Sequence, residues 1–312
     1  MKVNVLVTGC GGDIGQSIGK ILNKSTLVNN LYGCDISNKN AGQFIYSNFF
    51  VGLPYKDSSY LSSLEAFIED KEIDFIIPMA EPELRYFSET NNLTSIGRAK
   101  MLTASAEALR IGFDKLETAN FLKNNNFPFP NTVLASEEES PKFPVILKSR
   151  TGSGSASVYK VDNLKDYNYL RSKHNDFIAQ EFLEDSLGEY TCGVFRTKSG
   201  DTKTITFKRE LTGGYSGYGE VVNNESINNL LLNLATKINL EGSINVQLRL
   251  TKKGPVVFEI NPRFSSTVLF RHMFGFKDLE WSIKDKLNEK IEPYKAVEEG
   301  RKFYKGFNEY IS

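Results

Sequence analysis

The chain has 312 residues, and its 38 Lys and Arg balance 38 Asp and Glu, so the formal net charge is zero. That balance excludes the bulk attraction to nucleic acid or acidic membrane that a basic chain carries. The length fits two domains, or one with a large insertion, and 40% hydrophobic residues supply a sizeable core.

Cys10, Cys34 and Cys192 are widely spaced, with neither a disulfide framework nor metal-ligand spacing. They point to a reducing, cytoplasmic compartment. Two histidines, His174 and His272, leave little room for a histidine metal site. The apolar run that precedes the first glycine is too short for a signal peptide or a membrane span, so no membrane partner is expected.

Val3–Thr8 is a β-rich run, followed by Gly9-Cys10-Gly11-Gly12-Asp13-Ile14-Gly15. Residues 16–23 then read as a helix with Ile18, Ile21 and Leu22 on one side. Strand, glycine turn and helix make a dinucleotide-type βα turn. Residues 31–34 read as a second strand, and Asp35 at its end suits a ribose hydroxyl, as in the nicotinamide fingerprint. Gly9, Gly12 and Gly15 also match the spacing of some short-chain dehydrogenases, and Tyr169 and Lys173 spell their Tyr-x-x-x-Lys. An NAD-dependent oxidoreductase is therefore the alternative. Against it, a chain with 14 tyrosines and many lysines gives that pair by chance, and the pair sits in a polar stretch.

Residues 61–71 read as a helix and residues 74–78 as a buried strand. Glu81 and Glu83 follow that strand, where ligands collect in parallel sheets. They are candidate substrate contacts, or else acids favoured by a helix N-terminus. A first domain ends near Leu109. Residues 114–123 form an amphipathic helix with Leu116, Ala119, Phe121 and Leu122 on its apolar side, stopped by residues 124–130. Residues 143–148 are a strand that delivers Lys148. The Gly/Ser loop 149–157 follows, and 158–161 returns as a strand. Such a loop folds N–H groups over phosphate oxygens, with Lys148 as a point charge. It is not a Walker loop, because no Gly-Lys-Ser/Thr closes it and no helix follows.

Residues 177–183, 188–195 and 202–208 read as strands. The Gly- and Tyr-rich run 209–219 reads as a mobile loop that closes over a reacting group. Residues 227–238 are a helix. Residues 243–250 and 255–261 alternate apolar and polar about Lys252-Lys253-Gly254, a three-residue hairpin loop with a left-handed glycine last. That register sets Gln247 opposite Glu259 and Asn245 opposite Asn261. Val256, Phe258 and Ile260 then point into a core, and Asn245, Gln247, Glu259, Asn261 and Arg263 share one wet face. A carboxylate, amide oxygens and an arginine suit Mg²⁺ carrying a polyphosphate; the plainer alternative is a solvated hairpin face. Residues 278–287 are a last helix, and the polar tail packs on the outside.

The order of these pieces resembles the ATP-grasp family. The Asp-Lys helix, strand-borne lysine, Gly/Ser loop, Gln-Glu-Phe-Leu strand and Gln…Glu-Ile-Asn-Pro-Arg hairpin follow one another as in its carbamoyl-phosphate-synthetase-like branch, of carboxylate–amine ligase type. The resemblance covers nearly the whole chain. It implies an α/β and α+β architecture. A Rossmann-like pre-ATP-grasp domain would span 1–109 and a two-lobed ATP-grasp domain 110–312, with the smaller lobe at about 110–183 and the larger at about 184–312.

It further implies an ATP- and Mg²⁺-dependent ligase, with Mn²⁺ as a substitute ion. The ligase would activate a small-molecule carboxylate as an acyl phosphate and couple it to an amine, with a homodimer as the candidate assembly. Lys115 and Lys148 take the positions of phosphate-reaching basic residues, and Ser153, Gly154, Ser155 and Ala156 those of the phosphate-covering loop. Glu181, Phe182 and Leu183 match the adenine hinge, and Glu189 the ribose acceptor. Gln247, Glu259 and Asn261 match metal ligands, with Gln247 and Glu259 also facing the nucleotide. Arg263 matches the arginine that steadies the transferred phosphoryl group, and Lys208 and Arg209 sit where relatives place basic catalytic residues. The glycine turn then frames the acceptor pocket rather than a nicotinamide. Ser266 stands where carbamoyl-phosphate synthetases carry a second arginine, and there is one such unit and no glutaminase domain. Both features favour a larger acid over bicarbonate. A nucleotide-binding protein without ligation is a further alternative, against which the intact Gln/Glu/Asn/Arg set counts.

Overall fold

The computed structural model describes residues 2–152, 157–184 and 187–311, and among these the strands form three sheets. The first is built from β1 (Val3–Thr8), β2 (Val28–Asp35), β3 (Asn48–Val51), β4 (Phe75–Pro78), β5 (Ser95–Ile96) and β6 (Ala99–Met101), in the order β3-β2-β1-β4-β6-β5. All pairs but β5–β6 are parallel. Helices α1 (Asp13–Leu22), α2 (Tyr60–Asp70) and α3 (Glu81–Glu89) connect them. All four residues of β4 are buried, as expected of a strand covered on both faces. The strand order reverses between β1 and β4, so the crevice beyond their carboxyl ends is the switch point of the sheet.

The glycine turn lies at that crevice, and close packing demands Gly15 within it. A Cβ on Gly15 would stand 2.6 Å from the Gly9 carbonyl oxygen and the Cys10 Cα. Asp35 accepts a hydrogen bond from the Gly11 N–H at 2.8 Å, so the acid suited to a ribose is tied to the turn itself.

Next come α4 (Ala106–Gly112), α5 (Lys115–Asn124), β7 (Thr132–Leu134), β8 (Val145–Ser149), β9 (Val158–Val161), α6 (Leu164–Lys173) and β10 (Phe177–Glu181). The four strands form an antiparallel sheet in the order β7-β10-β8-β9. Asp114 caps α5 by accepting from the N–H groups of Leu116 and Glu117. In β8, Val145 and Leu147 join the core with Tyr167 and Phe177, which turns Ile146 and Lys148 to the other face.

The third sheet contains β11 (Glu189–Arg196), β12 (Thr202–Thr212), β13 (Tyr215–Val221), β14 (Gly242–Thr251), β15 (Gly254–Asn261) and β16 (Lys302–Tyr304), ordered β15-β14-β11-β12-β13-β16. Helix α7 (Glu225–Lys237) packs Ile227, Leu231 and Leu234 against Cys192, Val194, Ile244 and Val246 on one face. Helices α8 (Val268–Met273) and α9 (Asp278–Leu287) follow.

One expectation fails here, and another, the outside packing of the tail, is met with more structure than the sequence suggests. Residues 209–219 are not a loop but the paired ends of β12 and β13. The turn between them is Gly213-Gly214, with φ of 58° and 86°, which matches the twist of a two-residue hairpin. The other glycines serve close approach, since a Cβ on Gly219 would lie 2.3 Å from the Phe303 ring. The tail is not merely external. It supplies β16, Lys305 ion-pairs with Asp13 at 2.5 Å, and Tyr310 stacks on Phe44 at 5.0 Å, so it straps the third sheet to the first.

Beneath the third sheet, Arg271 and Asp278 are fully buried and paired at 3.0 Å. Ser243 donates to the same Asp278 oxygen at 2.7 Å, and Arg271 donates to Ser265. Gly193 leaves the room, because a Cβ there would be 2.5 Å from Arg271 Nη1. Removing one partner strands a buried charge. Asp278→Ala is expected to lower stability by about 3–5 kcal/mol, read as a fall in the urea midpoint at unchanged slope. A wild-type midpoint would remove this pair as an anchor of the fold.

Candidate functional site

A cleft of about 930 Å³ opens where the three sheets meet. The first sheet contributes Gly9, Gly12, Asp13 and Gly15 with Met79 and Ala80 from the end of β4. The second contributes Ile146, Lys148, Gln180, Glu181 and Leu183. The third contributes Glu189, Thr191, Arg209, Asn245, Gln247, Arg249, Phe258, Glu259, Asn261 and Arg263.

Strands β14 and β15 pair with Gln247 opposite Glu259 and Asn245 opposite Asn261, as the alternation predicts. The route to that register differs from the expected one. Thr251 pairs with Gly254, one residue tighter than predicted, with Gly254 at φ 112°. An irregularity beside Leu248 then restores the register, leaving Phe258 as the extra residue, since Leu248 pairs with Val257 and Gln247 with Glu259. Val257 therefore takes the core position with Ile260. Phe258, predicted to be a core residue, faces the cleft beside Glu259, and its ring lies 5.7 Å from the Lys148 ammonium.

The cleft holds three cations with no ion pair among the described residues, Lys148, Arg263 and Lys115. Lys148 is buried and makes no hydrogen bond or ion pair among the described residues. Burial pushes its pKa down to about 8, opposed by the charge of Glu259. Arg263 donates to the Phe264 carbonyl at 3.0 Å, and burial lowers its pKa, opposed by Glu81 and Glu259. Lys115, the first residue of α5, donates to the Gly152 carbonyl at 2.7 Å. Uncompensated buried cations are costly, which marks the spot as suited to an anion.

The remaining polar groups form a chain. Arg209 donates to Glu189 at 2.7 Å and to the Gln247 side-chain oxygen at 2.8 Å. Arg249 donates to the other Glu189 oxygen and to the Leu183 carbonyl. Asn261 donates to Glu259 at 3.1 Å, and Thr191 donates to Asn245 at 3.0 Å.

Most expected site residues thus meet in one cleft: Lys115, Lys148, Glu181, Leu183, Glu189, Arg209, Gln247, Glu259, Asn261 and Arg263. Others do not. Lys208 alternates with Arg209, so it points to the opposite face of β12 and is exposed, its chain lying over Gly188. Glu83 is not a cleft group. It is buried, accepts from Thr8 at 2.5 Å and from Tyr60, and has its pKa raised by desolvation. Glu81 pairs with Arg85 at 2.8 Å and reaches the cleft through its charge on Arg263. The Phe182 ring lies 4.8 Å from the Lys160 ammonium and outside the cleft lining, which leaves its expected main-chain role untouched. Ser153, Gly154, Ser155 and Ala156 lie outside the described residues. Tyr169 and Lys173, the dehydrogenase pair, lie on α6, away from the glycine turn.

Arg249, Ile146 and Phe258 were missed. Period-two alternation from Lys148 flags Ile146, and alternation from Gln247 flags Arg249. Nothing local flags the bulge that turns Phe258.

Among the described residues no three His, Cys, Asp or Glu gather as a metal cluster. A single carboxylate, Glu259, with the amide oxygens of Asn261 and Gln247 nearby, fits a Mg²⁺ ion whose other ligands are phosphates and water. It does not fit a dedicated protein cage. No helix among the described residues is long and apolar enough to cross a membrane.

Residues 113–267 belong to the ATP-grasp domain family. The fold is that of N5-carboxyaminoimidazole ribonucleotide synthetase solved as its ADP complex, at a TM-score of 0.75 and 15% identity over 96% of this chain and 80% of that one. The Campylobacter jejuni biotin carboxylase, solved with β-γ-ATP, matches at a TM-score of 0.75 and 14% identity over 96% and 74%. Among curated proteins, the uncharacterized protein MG011 of Mycoplasma genitalium is 31% identical over 131 residues, 39% of this chain and 44% of that protein. The chain spans less than half the length of the curated relatives it matches.

Burial of Lys148 makes stability depend on pH. Its pKa falls from 10.5 to about 8 on folding, so the unfolded chain binds more protons between those values and stability rises with pH there. Lys148→Met should therefore exceed wild-type stability at pH 7 by on the order of 3 kcal/mol. That advantage should shrink as pH rises from 8 towards 10.5. Urea denaturation at pH 7 and pH 10 checks it, and a pH-independent difference rejects the buried charge.

Proposed function

We propose that the protein is an ATP- and Mg²⁺-dependent ligase that activates a carboxylate as an acyl phosphate and couples it to an amine. The observation that carries this is the convergence, in one cleft, of Glu259, Asn261 and Gln247 on a paired hairpin with Lys148 and Arg263, which form no ion pair among the described residues. An ATP polyphosphate is the anion class that such a set accommodates. Ile146, Val158, Leu183 and Phe258 offer apolar surface for its base, and both solved relatives named above were crystallised with adenine nucleotides.

In this assignment, residues 1–109 frame the acceptor beside the glycine turn, and residues 110–312 hold the nucleotide. Lys148 and Lys115 bind the phosphates, and Glu189 faces the ribose. Glu259 and Asn261, with Gln247 beside them, would hold Mg²⁺, which supplies charge neutralisation to the phosphates. Arg263 stabilises charge on the equatorial oxygens while a substrate carboxylate oxygen attacks the γ-phosphorus and ADP leaves. The amine then attacks the acyl carbon, phosphate departs with the bonding pair, and the amine proton is lost to solvent. Positioning supplies much of the rate. Ser266 in place of a second arginine favours an acid larger than bicarbonate.

Phosphate release from ATP and Mg²⁺ with pools of carboxylates and amines tests the activity. Glu259→Gln and Asn261→Ala should each abolish substrate-stimulated ADP formation while leaving the thermal transition nearly unchanged. Full turnover in both would sink the metal assignment. Lys148→Ala should weaken ATP binding. Wild-type binding should take up protons above pH 8, because phosphate contact raises the depressed lysine pKa. Calorimetry in buffers of differing ionisation enthalpy would show it, and affinity should fall as pH climbs past that value.

A further inference from the structure

Asn245 takes no part in the chemistry assigned so far, yet it lines the cleft while only 1% exposed. Every second residue of β14 faces the same way, so Arg249, Gln247, Asn245 and Ser243 form one row. Arg249 donates to the Leu183 carbonyl at one end, and Ser243 donates to the buried Asp278 at the other. Asn245 is therefore the innermost member of the row that lines the cleft. Its Oδ1 accepts from the Thr191 hydroxyl at 3.0 Å, which holds the amide in place. Its Nδ2 has no acceptor among the described residues and is not sealed from solvent, so it opens onto the cleft. A buried amide donor without an acceptor is costly, and a ligand oxygen relieves that cost.

We propose that Asn245 is a substrate-binding residue that donates from Nδ2 to a γ-phosphoryl oxygen of the nucleotide. This deepens the reading of the cleft as an ATP site and rests on it. The hairpin sets the placement. Asn245 pairs directly with Asn261, one of the groups suited to the ion, and their Cβ atoms are about 5 Å apart. Gln247 lies about 7 Å back along β14, on the side of Arg249 and Leu183. Arg263 follows Asn261 by two residues, so Asn245 belongs to the Arg263 end of the cleft. With the base against the apolar surface at Leu183, the terminal phosphate is the part of a triphosphate that ends there. An amide N–H serves an oxygen and cannot serve a metal ion or an ammonium. It orients the phosphoryl group while a carboxylate oxygen bonds to the γ-phosphorus. The bond to the β,γ-bridging oxygen then breaks, its electron pair leaves with ADP, and no proton moves through Asn245. Thr191 is a positioning residue, because its hydroxyl holds the amide oxygen and so turns the nitrogen toward the ligand.

Dissociation constants for the Mg²⁺ complexes of ADP and of β,γ-methylene-ATP test this, because ADP lacks the γ-phosphoryl group and the analogue keeps it uncleaved. Asn245→Ala should weaken the analogue about tenfold while ADP stays within about threefold of wild type. Asn245→Asp, nearly isosteric, sets a carboxylate against the phosphoryl oxygens and should weaken the analogue about a hundredfold relative to ADP. Thr191→Val keeps the shape, removes the hydroxyl, and should weaken the analogue relative to ADP about threefold. An unchanged ratio of the two constants in the folded Asn245 variants overturns the proposal and leaves the ATP reading standing. So does an equal loss of both ligands, which a merely structural asparagine would give. Wild-type affinity of Asn245→Asp for the analogue would mean that the amide oxygen faces the ligand, and also overturns it. Failure of wild type to bind either nucleotide removes the ATP reading and the proposal with it.

Discussion

Two cations with no ion pair among the described residues, Lys148 buried and Arg263 half-buried, set the terms for the rest of the molecule. Lys148 reaches the cleft because Val145 and Leu147 are committed to the core of the second sheet, which leaves its own face no other direction. Arg263 is held at the end of β15 by its bond to the Phe264 carbonyl. Both sit in surroundings that disfavour charge. The fold tolerates this because the core is secured elsewhere, notably by α7 against β11 and β14. A site of this kind is destabilised by its own charge and relieved by an anion.

The polar groups around those cations are ordered differently. Glu189, Arg209, Arg249 and Gln247 are hydrogen-bonded to one another, which orders their side chains before any ligand arrives. The cleft thus combines a strained electrostatic centre with a satisfied, rigid surround, the arrangement that lets binding energy go into orientation rather than ordering. The tail strap adds to this. Lys305 joins Asp13 at the glycine turn, and its ammonium lies 4.9 Å from the Tyr215 ring on β13, so two walls of the cleft are linked by residues distant in the chain.

Much of the fold was legible because the signals are local. The β1–glycine–α1 turn, the amphipathic helices and the β14–β15 alternation follow from side-chain period and turn chemistry over a few residues. The errors share a physical cause. Gly217 and Gly219 read as flexible when only nearby residues are considered, yet Gly219 is small because Phe303, far along the chain, packs on it. Of the two readings of Glu83, the helix N-terminal acid holds, since it lies in the first turn of α3, and the ligand group does not, because Thr8 and Tyr60 close over it. Lys208 was grouped with Arg209 as a neighbour in sequence, although adjacent strand residues face opposite ways.

From the residue order alone came the three βα and β-hairpin signatures, the cross-strand pairing of Gln247 with Glu259, and the lysine placed at the end of β8. Each depends on contacts within one element or between neighbours, which the backbone period dictates. Tertiary packing alone decided that these pieces enclose a single cleft. It alone turned Phe258 into that cleft through a bulge, and it alone brought Arg249 to the Leu183 carbonyl across 66 residues. Such contacts arise from how sheets dock and where a register slips, and no short stretch of sequence carries that information.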